Sequence, residues 1–309
     1  MANQQSTLQH TIQPATSRRS LLPHNFGSLL AQYGVNLLLA AFFIFPLLFM
    51  VMSSFKPNDQ IFSDLRSLRA FAPVGDLSLV NYQAVFTRSS FPRFLFNSLL
   101  ISAITIILSL IVNSMVAYAL ARLKWRGQAL LLSVIVATLI IPGETVIMPL
   151  LLLVSRLPFF SLSEGFKIGW LNTYHVQIIP FITSAFSIFL FYQFFRDIPR
   201  ELDEAALVDG ASRFQIYRKI IVPMSGPVFA TVTILTFLGT WNAFLWPTMV
   251  IQSEQLRPVM VGMQYFFQQD TEWGEVMAYA TLITIPVLLL FLFFQGAFVK
   301  SIASSGIKG

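Results

Sequence analysis

The sequence predicts an all-α integral membrane protein with six transmembrane helices, and two observations lead to that class. Apolar residues make up 55% of the 309 residues, while Asp, Glu, Lys and Arg together make up 11%. An ordinary soluble domain has roughly twice that share of charge. Six apolar runs also reach or exceed the roughly 20 residues that a helix needs to cross a hydrocarbon core of about 30 Å.

The six predicted spans are separated by loops of unequal length. They lie at about 33–55, 94–121, 129–153, 173–195, 228–251 and 276–299. No internal repeat divides them, so residues 26–309 are expected to form one membrane domain. Residues 1–25 are rich in Gln, Ser, Thr and His, which predicts a flexible tail. A signal peptide would place its apolar core nearer the start, so the tail is expected to be retained.

The distribution of Lys and Arg predicts the orientation. The loops after the second, fourth and sixth spans hold most of the short-loop cations, namely Arg122, Lys124, Arg126, Arg196, Arg200, Arg213, Arg218, Lys219, Lys300 and Lys308. By the positive-inside rule these loops and both termini are cytoplasmic. Residues 56–93 carry cations on the predicted outer side, but long translocated loops follow the rule poorly. That segment is either a small ordered external cap or a partner-binding surface.

The loop between the fourth and fifth spans, residues 198–227, crowds charge between two apolar runs. Its first half predicts a short helix that ends near Gly210. Carboxylates in the opening turns suit the helix macrodipole, and these are Glu201, Asp203 and Glu204.

The second half of the loop predicts another short helix. Ser212 and Gln215 have the spacing of a capping box, and Pro223 is expected to stop the helix. An apolar stripe is predicted along it, made of Phe214, Tyr217 and Ile221. From this periodicity alone, docking into a partner and resting on the membrane surface are equally favoured.

The sequence lacks the motifs of several kinds of enzyme and of several kinds of binding site. It has no GxxxxGK[ST] phosphate-binding loop, so energy from a nucleotide is expected to come from a partner. HExxH and GxSxG are also missing, and without Cys there are no disulfides or Cys-based metal sites. The cations form no nucleic-acid-binding motif. The chain is therefore expected to be neither an enzyme nor a metal-binding or nucleic-acid-binding protein.

One string in the polar loop is specific. EAALVDGAS at residues 204–212, followed by IIVP at 220–223, resembles the EAA loop of permease subunits of bacterial ABC importers. The matching positions need no gap, and they are Glu204, Ala205, Ala206, Asp209, Gly210, Ala211, Ile220, Pro223 and Pro227. Four further stretches resemble the carbohydrate branch and are similar to the maltose permease G subunit family: AYALARLKWRG, IPGETVIMP, TWNAFLWP and FVKSIASSGIKG. Where that family often carries Asp before Thr-Tyr, this chain has Asn172.

The resemblance covers nearly the whole chain from the first span, and it implies a type I ABC importer permease fold in the bacterial inner membrane. The implied partners are a second homologous permease subunit, two ATP-binding subunits, an extracytoplasmic solute-binding protein and membrane lipid. ATP and Mg would be bound by the ATPase partner, with no cofactor in this chain.

The resemblance also implies that residues 198–227 couple the chain to the ATPase as a helical hairpin lying in a groove. The implied coupling residues are Glu204, Ala205, Ala206, Asp209, Gly210 and Pro223. In this interpretation Glu204 reaches a basic or polar group, the two alanines permit close approach, and Gly210 tolerates a positive φ. The alternative is that the alanines and the glycine only serve the hairpin's own fold.

Three residues are candidates for the solute path. Glu144 is the only carboxylate within an apolar run, and a charge at the bilayer centre costs about 3 kcal/mol, so a helix break is expected to leave it near an outer cavity. A loop-capping role for Glu144 is equally favoured. Trp241 and Asn242 could stack on a sugar and contact its hydroxyls, whereas Trp246 is interpreted as a packing residue. Two asparagines have both path and interhelical interpretations, Asn97 and Asn113.

The predicted function is that of a non-catalytic permease subunit for a carbohydrate, such as an oligosaccharide, a disaccharide or a polyol-like glycoside. One alternative is a different solute, such as glycerol phosphate, a polyamine or an oxyanion. The spans carry essentially no Lys or Arg, which favours a neutral solute. The other alternative is a secondary transporter or a membrane scaffold, for which Glu144 is the only candidate proton carrier.

Overall fold

The structure is a computed structural model that describes residues 26–161, 165–267 and 271–305. In these ranges the chain is helical apart from one two-stranded β-hairpin, so the predicted all-α class is confirmed with that addition. Internal packing divides the chain into two units, residues 1–47 and 48–309. The predicted flexible tail, residues 1–25, lies outside the described residues.

The elements follow one another in this order. The helices are α1 (Phe26–Ser53), α2 (Asn58–Asp64), α3 (Val80–Arg88), α4 (Phe91–Arg122), α5 (Gln128–Thr138), α6 (Gly143–Val154), α7 (Tyr174–Ile178), α8 (Ala185–Asp197), α9 (Glu201–Val208), α10 (Arg213–Ile216), α11 (Val222–Met224), α12 (Gly226–Trp241), α13 (Leu245–Val250), α14 (Val259–Gly262) and α15 (Trp273–Ser305). The strands are β1 (Pro158–Ser161) and β2 (Gly165–Ile168), and they pair antiparallel.

Four helices of the described chain are long and apolar enough to cross a membrane. They are Leu29–Ser53, Phe91–Arg122, Tyr174–Asp197 and Trp273–Gly296. Two bent pairs pass the same test when each pair is counted together: Gln128–Thr138 with Gly143–Val154, bent by 103°, and Arg213–Met224 with Gly226–Trp241, bent by 80°. Length and composition therefore give four such helices, or up to six if each bent pair is one span.

Helix α1 exposes large apolar side chains all round. Leu37, Leu38 and Phe42 are 72%, 70% and 73% exposed. A helix that is apolar on every side is unstable in water, so this surface fits lipid or an apolar partner.

The third predicted span breaks where the IPGETVIMP stretch predicts it. Pro142 takes an extended backbone conformation just before α6, with φ −60° and ψ 132°. Proline also disfavours helical backbone in the residue before it, which ends the helical path through Ile141. The break leaves Glu144 exposed in the first turn of α6.

The fourth predicted span, 173–195, corresponds to the membrane-length helix Tyr174–Asp197, whose α-helical backbone is interrupted at residues 182–184. Pro180 has no N–H to donate, and α8 begins only after Ser184. Asn113 of α4 satisfies the backbone at the break, because its Nδ2 donates to the Ile182 carbonyl at 3.0 Å and its Oδ1 accepts from the Ser184 N–H at 3.1 Å. Non-helical backbone at this depth is tolerated when protein groups satisfy it.

The fifth predicted span is also interrupted. Helix α12 ends at Trp241, with Asn242 as its C-cap, and α13 begins again at Leu245. The predicted span, 228–251, therefore includes most of α12, the interruption and α13. Because the helix is interrupted here, neighbouring residues of the TWNAFLWP stretch face different surroundings.

Helix α4 is the central element. Its 32 residues at about 1.5 Å each give a length of roughly 48 Å. It packs against α8 and α12, and an apolar core lies at each of its ends. The core near its C-terminus includes Leu120, Phe191, Phe195, Ile216, Ile221 and Val232. The core near its N-terminus includes Val85, Phe94, Phe237, Trp241, Phe266 and Tyr279.

Residues 56–93, called the cap from here on, are ordered, and their position on the outer side stays a prediction. The Lys56 ammonium donates to Asp64 Oδ2 at 3.0 Å and to the Arg69 carbonyl at 2.7 Å. Arg88 donates to both oxygens of Glu275, at 2.8 and 2.7 Å, which ties α3 to α15. Lys56 and Arg88, which are exceptions to the positive-inside rule, therefore form ion pairs within the segment and with α15.

The Lys56–Asp64 pair predicts an acid-induced loosening of this cap. The hydrogen bond from Lys56 holds the pKa of Asp64 below its ordinary value of 3.8. The folded state then binds fewer protons than the unfolded state, so this stabilisation is present above pH 3.8 and is lost as the pH falls below that value. We expect pepsin cleavage within residues 56–93 to accelerate in that range. Asp64→Asn should remove the acceleration, whereas the exposed Asp76→Asn should retain it; an unchanged profile in Asp64→Asn would contradict the assignment.

Candidate functional site

The polar loop forms the predicted hairpin of two short helices. Gly210 joins them with φ +80°, a conformation that L side chains rarely adopt. The capping box is present as predicted: the Gln215 N–H donates to Ser212 Oγ at 3.3 Å, and the Ser212 N–H donates to Gln215 Oε1 at 2.7 Å. Local signals therefore define both the turn and the start of the second helix.

The second helix does not stop at Pro223, and that prediction was wrong. The backbone widens into a π turn at Tyr217–Ile221 and continues through α11 to Met224. The Val222 N–H donates to the Tyr217 carbonyl across this wider turn, and proline fits next because it is near the start of a new helical segment.

The hairpin is anchored to the membrane-length helices through its second helix. Ile216 and Ile221 are fully buried against α4 and α8. Tyr118 of α4 donates to the Arg213 carbonyl at 3.0 Å, and Ser114 Oγ lies 2.7 Å from Tyr217 Oη. Ile216 takes the place that the sequence interpretation gave to Phe214, which is 58% exposed.

A buried ion pair joins the first hairpin helix to the end of α4. Arg122 Nη1 lies 3.5 Å from Asp203 Oδ2, and these side chains are 1% and 8% exposed. Arg122 Nη2 also donates to the Ile198 carbonyl at 2.7 Å. Sequence reasoning missed this pair, because Arg122 was interpreted as an orientation signal and Asp203 as a macrodipole acid. Together, Arg122 and Asp203 hold α9 against the C-terminal end of α4.

The opposite side of the hairpin is exposed. Glu204, Ala205 and Asp209 are exposed, Ala206 is half-buried against the core, and Pro223 is exposed. Val208 is 88% exposed, and with Phe214 it puts two bare apolar side chains on either side of Gly210. Exposed apolar side chains next to charged residues on an otherwise anchored element are typical of a docking surface.

Gly210 offers a test of the turn conformation. A Cβ at this position would meet nothing within 4 Å, so the cost of a substitution lies in the backbone conformation alone. We expect Gly210→Val to destabilise the hairpin by about 1–2 kcal/mol and Gly210→Asn by much less, since Asn tolerates this conformation. Hydrogen exchange of residues 201–216 measures the difference. Equal exchange in the two variants would contradict it.

A second feature is a cavity of about 570 Å³ between α4, α6, α7, α8, α12 and α13. Its polar lining residues are Ser98, Gln177, Ser184, Ser187, Thr236 and Thr240. Its aromatic lining residues are Phe181, Phe186, Phe244 and Trp246. Among the described residues on this wall, Glu144 is the one with a charged side chain. The described chain holds no group of three or more His, Cys, Asp or Glu side chains that could bind a metal.

The structure separates the predicted path residues. Glu144 lines the cavity. Trp241 is 1% exposed and stacks on Phe237 with centroids 5.1 Å apart, so it lies in the core and not on the wall. Asn242 is exposed at the end of α12 but does not line the cavity. Trp246 lines the cavity while its Nε1 donates to the Val176 carbonyl at 2.9 Å.

The asparagines outside the predicted path hold the backbone. Asn97 is fully buried, and its Nδ2 donates to the Gln255 and Arg257 carbonyls at 2.8 and 2.9 Å. This supports the interhelical interpretation. Asn172 takes a φ of +57°, and its Oδ1 accepts from the Ser253 N–H at 2.8 Å. The amide at this position therefore joins two loops.

These features define a helical membrane protein with a cavity between its helices and an exposed, firmly anchored helical hairpin. The chain belongs to the family of binding-protein-dependent transport system inner membrane components, whose model matches residues 106–304.

Relatives match over most of their length. The arabinooligosaccharides transport system permease protein AraQ of Halalkalibacterium halodurans is 32% identical, over 86% of this chain and 91% of that protein. The trehalose/maltose transport system permease protein MalG of Thermococcus litoralis is 30% identical, over 88% of this chain and 94% of that protein. A crystal structure of a bacterial ABC transporter that imports the acidic polysaccharide alginate shares the fold, with a TM-score of 0.72, 21% identity and coverage of 87% of this chain and 95% of that chain.

Proposed function

We propose that the chain is the non-catalytic permease subunit of an ATP-driven, binding-protein-dependent importer for a carbohydrate. The observation that carries this proposal is the hairpin, which is anchored on one side by Ile216, Ile221 and the Arg122–Asp203 pair and is bare on the other. An element fixed to the membrane-length helices transmits the motion of whatever binds its exposed side.

The exposed side is proposed to dock into a groove on an ATP-binding subunit. Glu204 and Asp209 supply carboxylates, Ala205 permits close approach, and Val208 and Phe214 supply apolar contacts. In the working complex we expect a second permease subunit, two ATP-binding subunits that hold ATP and Mg, and a solute-binding protein outside. We further propose six spans, with the hairpin and both termini in the cytoplasm, because the short-loop cations cluster after the second, fourth and sixth predicted spans.

The proposed solute is a neutral carbohydrate. Several relatives are named for sugars, including arabinooligosaccharides, trehalose and maltose, and lactose. The described cavity wall carries hydroxyls, an amide and aromatic rings, and its one charged group is the Glu144 carboxylate. Such a wall binds hydroxyl-bearing rings and repels phosphate or carboxylate groups. It therefore favours a neutral sugar over glycerol phosphate or an oxyanion.

The proposal is tested by ATP hydrolysis in the assembled complex. The chain is co-expressed with its partner permease and ATPase, reconstituted in liposomes and mixed with the binding protein. We expect arabinotriose, maltose, lactose or N,N′-diacetylchitobiose to stimulate hydrolysis only when the loaded binding protein is present. Hydrolysis that no sugar of this panel changes would contradict a carbohydrate importer.

A further inference from the structure

Gln177 lies on the cavity wall with one half of its amide unpaired. The residue is 3% exposed, and its Nε2 donates to the Leu256 carbonyl at 3.1 Å. Its Oε1 is buried and has no hydrogen-bond partner among the described residues. Buried acceptors without a partner are rare in folded proteins, since leaving one unpaired is destabilising.

The orientation of this amide follows from its neighbour. A backbone carbonyl accepts and never donates, so the group of Gln177 that faces Leu256 must be the NH₂. The carbonyl oxygen Oε1 is therefore turned away from Leu256. Since Oε1 can only accept, the group that satisfies it must bring an N–H or O–H donor.

The backbone that carries Gln177 is held on two sides. The preceding residue, Val176, accepts a hydrogen bond from Trp246 Nε1 at 2.9 Å, and its own N–H donates to Thr173 Oγ1 at 3.4 Å. Trp246 lines the same cavity and packs edge-on against Phe181. The Gln177 amide is itself held by the Nε2 hydrogen bond to Leu256, so the side chain loses little freedom when a ligand binds, which favours affinity and specificity.

We propose that Gln177 Oε1 is a hydrogen-bond acceptor for a hydroxyl group of the transported solute, and that it selects sugars with a hydroxyl at the matching ring position. This inference rests on the proposed function and adds a residue and a chemistry to it. A site built to bind a hydroxyl rejects an analogue that lacks it, because the acceptor is then left unpaired. An ionised carboxylate has no proton to donate to Gln177 Oε1, and Glu144 on the same wall repels it, so discrimination against acidic sugars comes from Glu144.

The test uses the complete importer in liposomes, with the binding protein saturated by a sugar of the panel that the wild type imports. At saturation, the affinity of the binding protein no longer sets the rate. Gln177→Met removes the acceptor, and we expect the amount of sugar imported per ATP hydrolysed to fall about tenfold while loaded-binding-protein-stimulated hydrolysis persists. Gln252→Met makes the same chemical change at an exposed glutamine outside the cavity and should leave both quantities unchanged.

Monodeoxy analogues of the imported sugar identify the hydroxyl. At one ring position, removal of the hydroxyl should lower import by the wild type about tenfold and have no further effect in Gln177→Met. A merely structural role for Gln177 would instead lower import of all analogues equally. If Gln177→Met does not assemble into the importer, Gln177→Leu replaces it. If neither variant assembles, the wild type alone decides, and equal import of all deoxy analogues by the wild type overturns the inference.

The outcomes separate this inference from the proposed function. If the wild type imports none of the panel sugars, the carbohydrate function fails and the inference fails with it. If the wild type imports a sugar and Gln177→Met imports it equally well per ATP, only the role of Gln177 is overturned.

Discussion

Uptake is expected to fall to background in Glu204→Lys, while the abundance and thermal stability of the chain stay unchanged. The Glu204 side chain is exposed and makes no hydrogen bond or ion pair within the described residues, so the substitution removes no such contact from the folded chain. Reversing its charge therefore acts on the docked partner. Losing a central interface contact costs about 2 kcal/mol or more, and a like charge facing a basic group adds repulsion. Sugar uptake and sugar-stimulated ATP hydrolysis measure the effect.

Glu201→Lys is the matched control, because Glu201 is an exposed glutamate of the same helix outside the EAA string. It is expected to retain most of the uptake, with only the small loss that a cation at a helix N-terminus brings. An equal loss of uptake in Glu204→Lys and Glu201→Lys would indicate that the net charge of the hairpin, and not a specific contact of Glu204, sets the rate of uptake. Full uptake in Glu204→Lys would contradict the coupling role.

The second large effect is expected in Arg122→Met. It leaves the Asp203 carboxylate buried without its cation, and breaking a buried ion pair costs about 3–5 kcal/mol. The thermal unfolding midpoint in detergent should fall strongly, and hydrogen exchange of α9 should accelerate. Arg126→Met, which changes an exposed arginine of the following loop, should leave both measurements unchanged.

The double variant Arg122→Met/Asp203→Leu isolates the ion pair. Both Arg122→Met variants lack the donor to the Ile198 carbonyl, so any recovery in the double variant comes from removing the unpaired carboxylate. We expect the double variant to be more stable than Arg122→Met alone, because an apolar pair can replace a buried ion pair at little cost. A double variant that is less stable than the single variant would contradict this account.

Local features of the hairpin could be predicted from the sequence. The capping box of Ser212 and Gln215 and the positive φ of Gly210 depend on a few neighbouring residues. The break before α6 could be predicted for the same reason, since proline and glycine act on adjacent backbone. The break before α8 could not, because it depends on Asn113 of a different helix.

Side-chain surroundings could be predicted less well. Trp241 and Trp246 stand in one short stretch, and which of them lines the cavity depends on the end of α12 at Asn242. Gln177 carried no sequence signal, because its unpaired oxygen follows from the distant Leu256 carbonyl. Asp203 was visible as an acid at a helix start, but only its approach to Arg122 shows that it is paired.

The account is tested most directly by sugar accumulation in liposomes that hold the complete complex, with ATP supplied on the ATPase side and the binding protein on the other. The account predicts that a sugar of the panel accumulates above its external concentration, and that omitting either ATP or the binding protein abolishes accumulation. Accumulation that persists without ATP would contradict it and would indicate a secondary transporter.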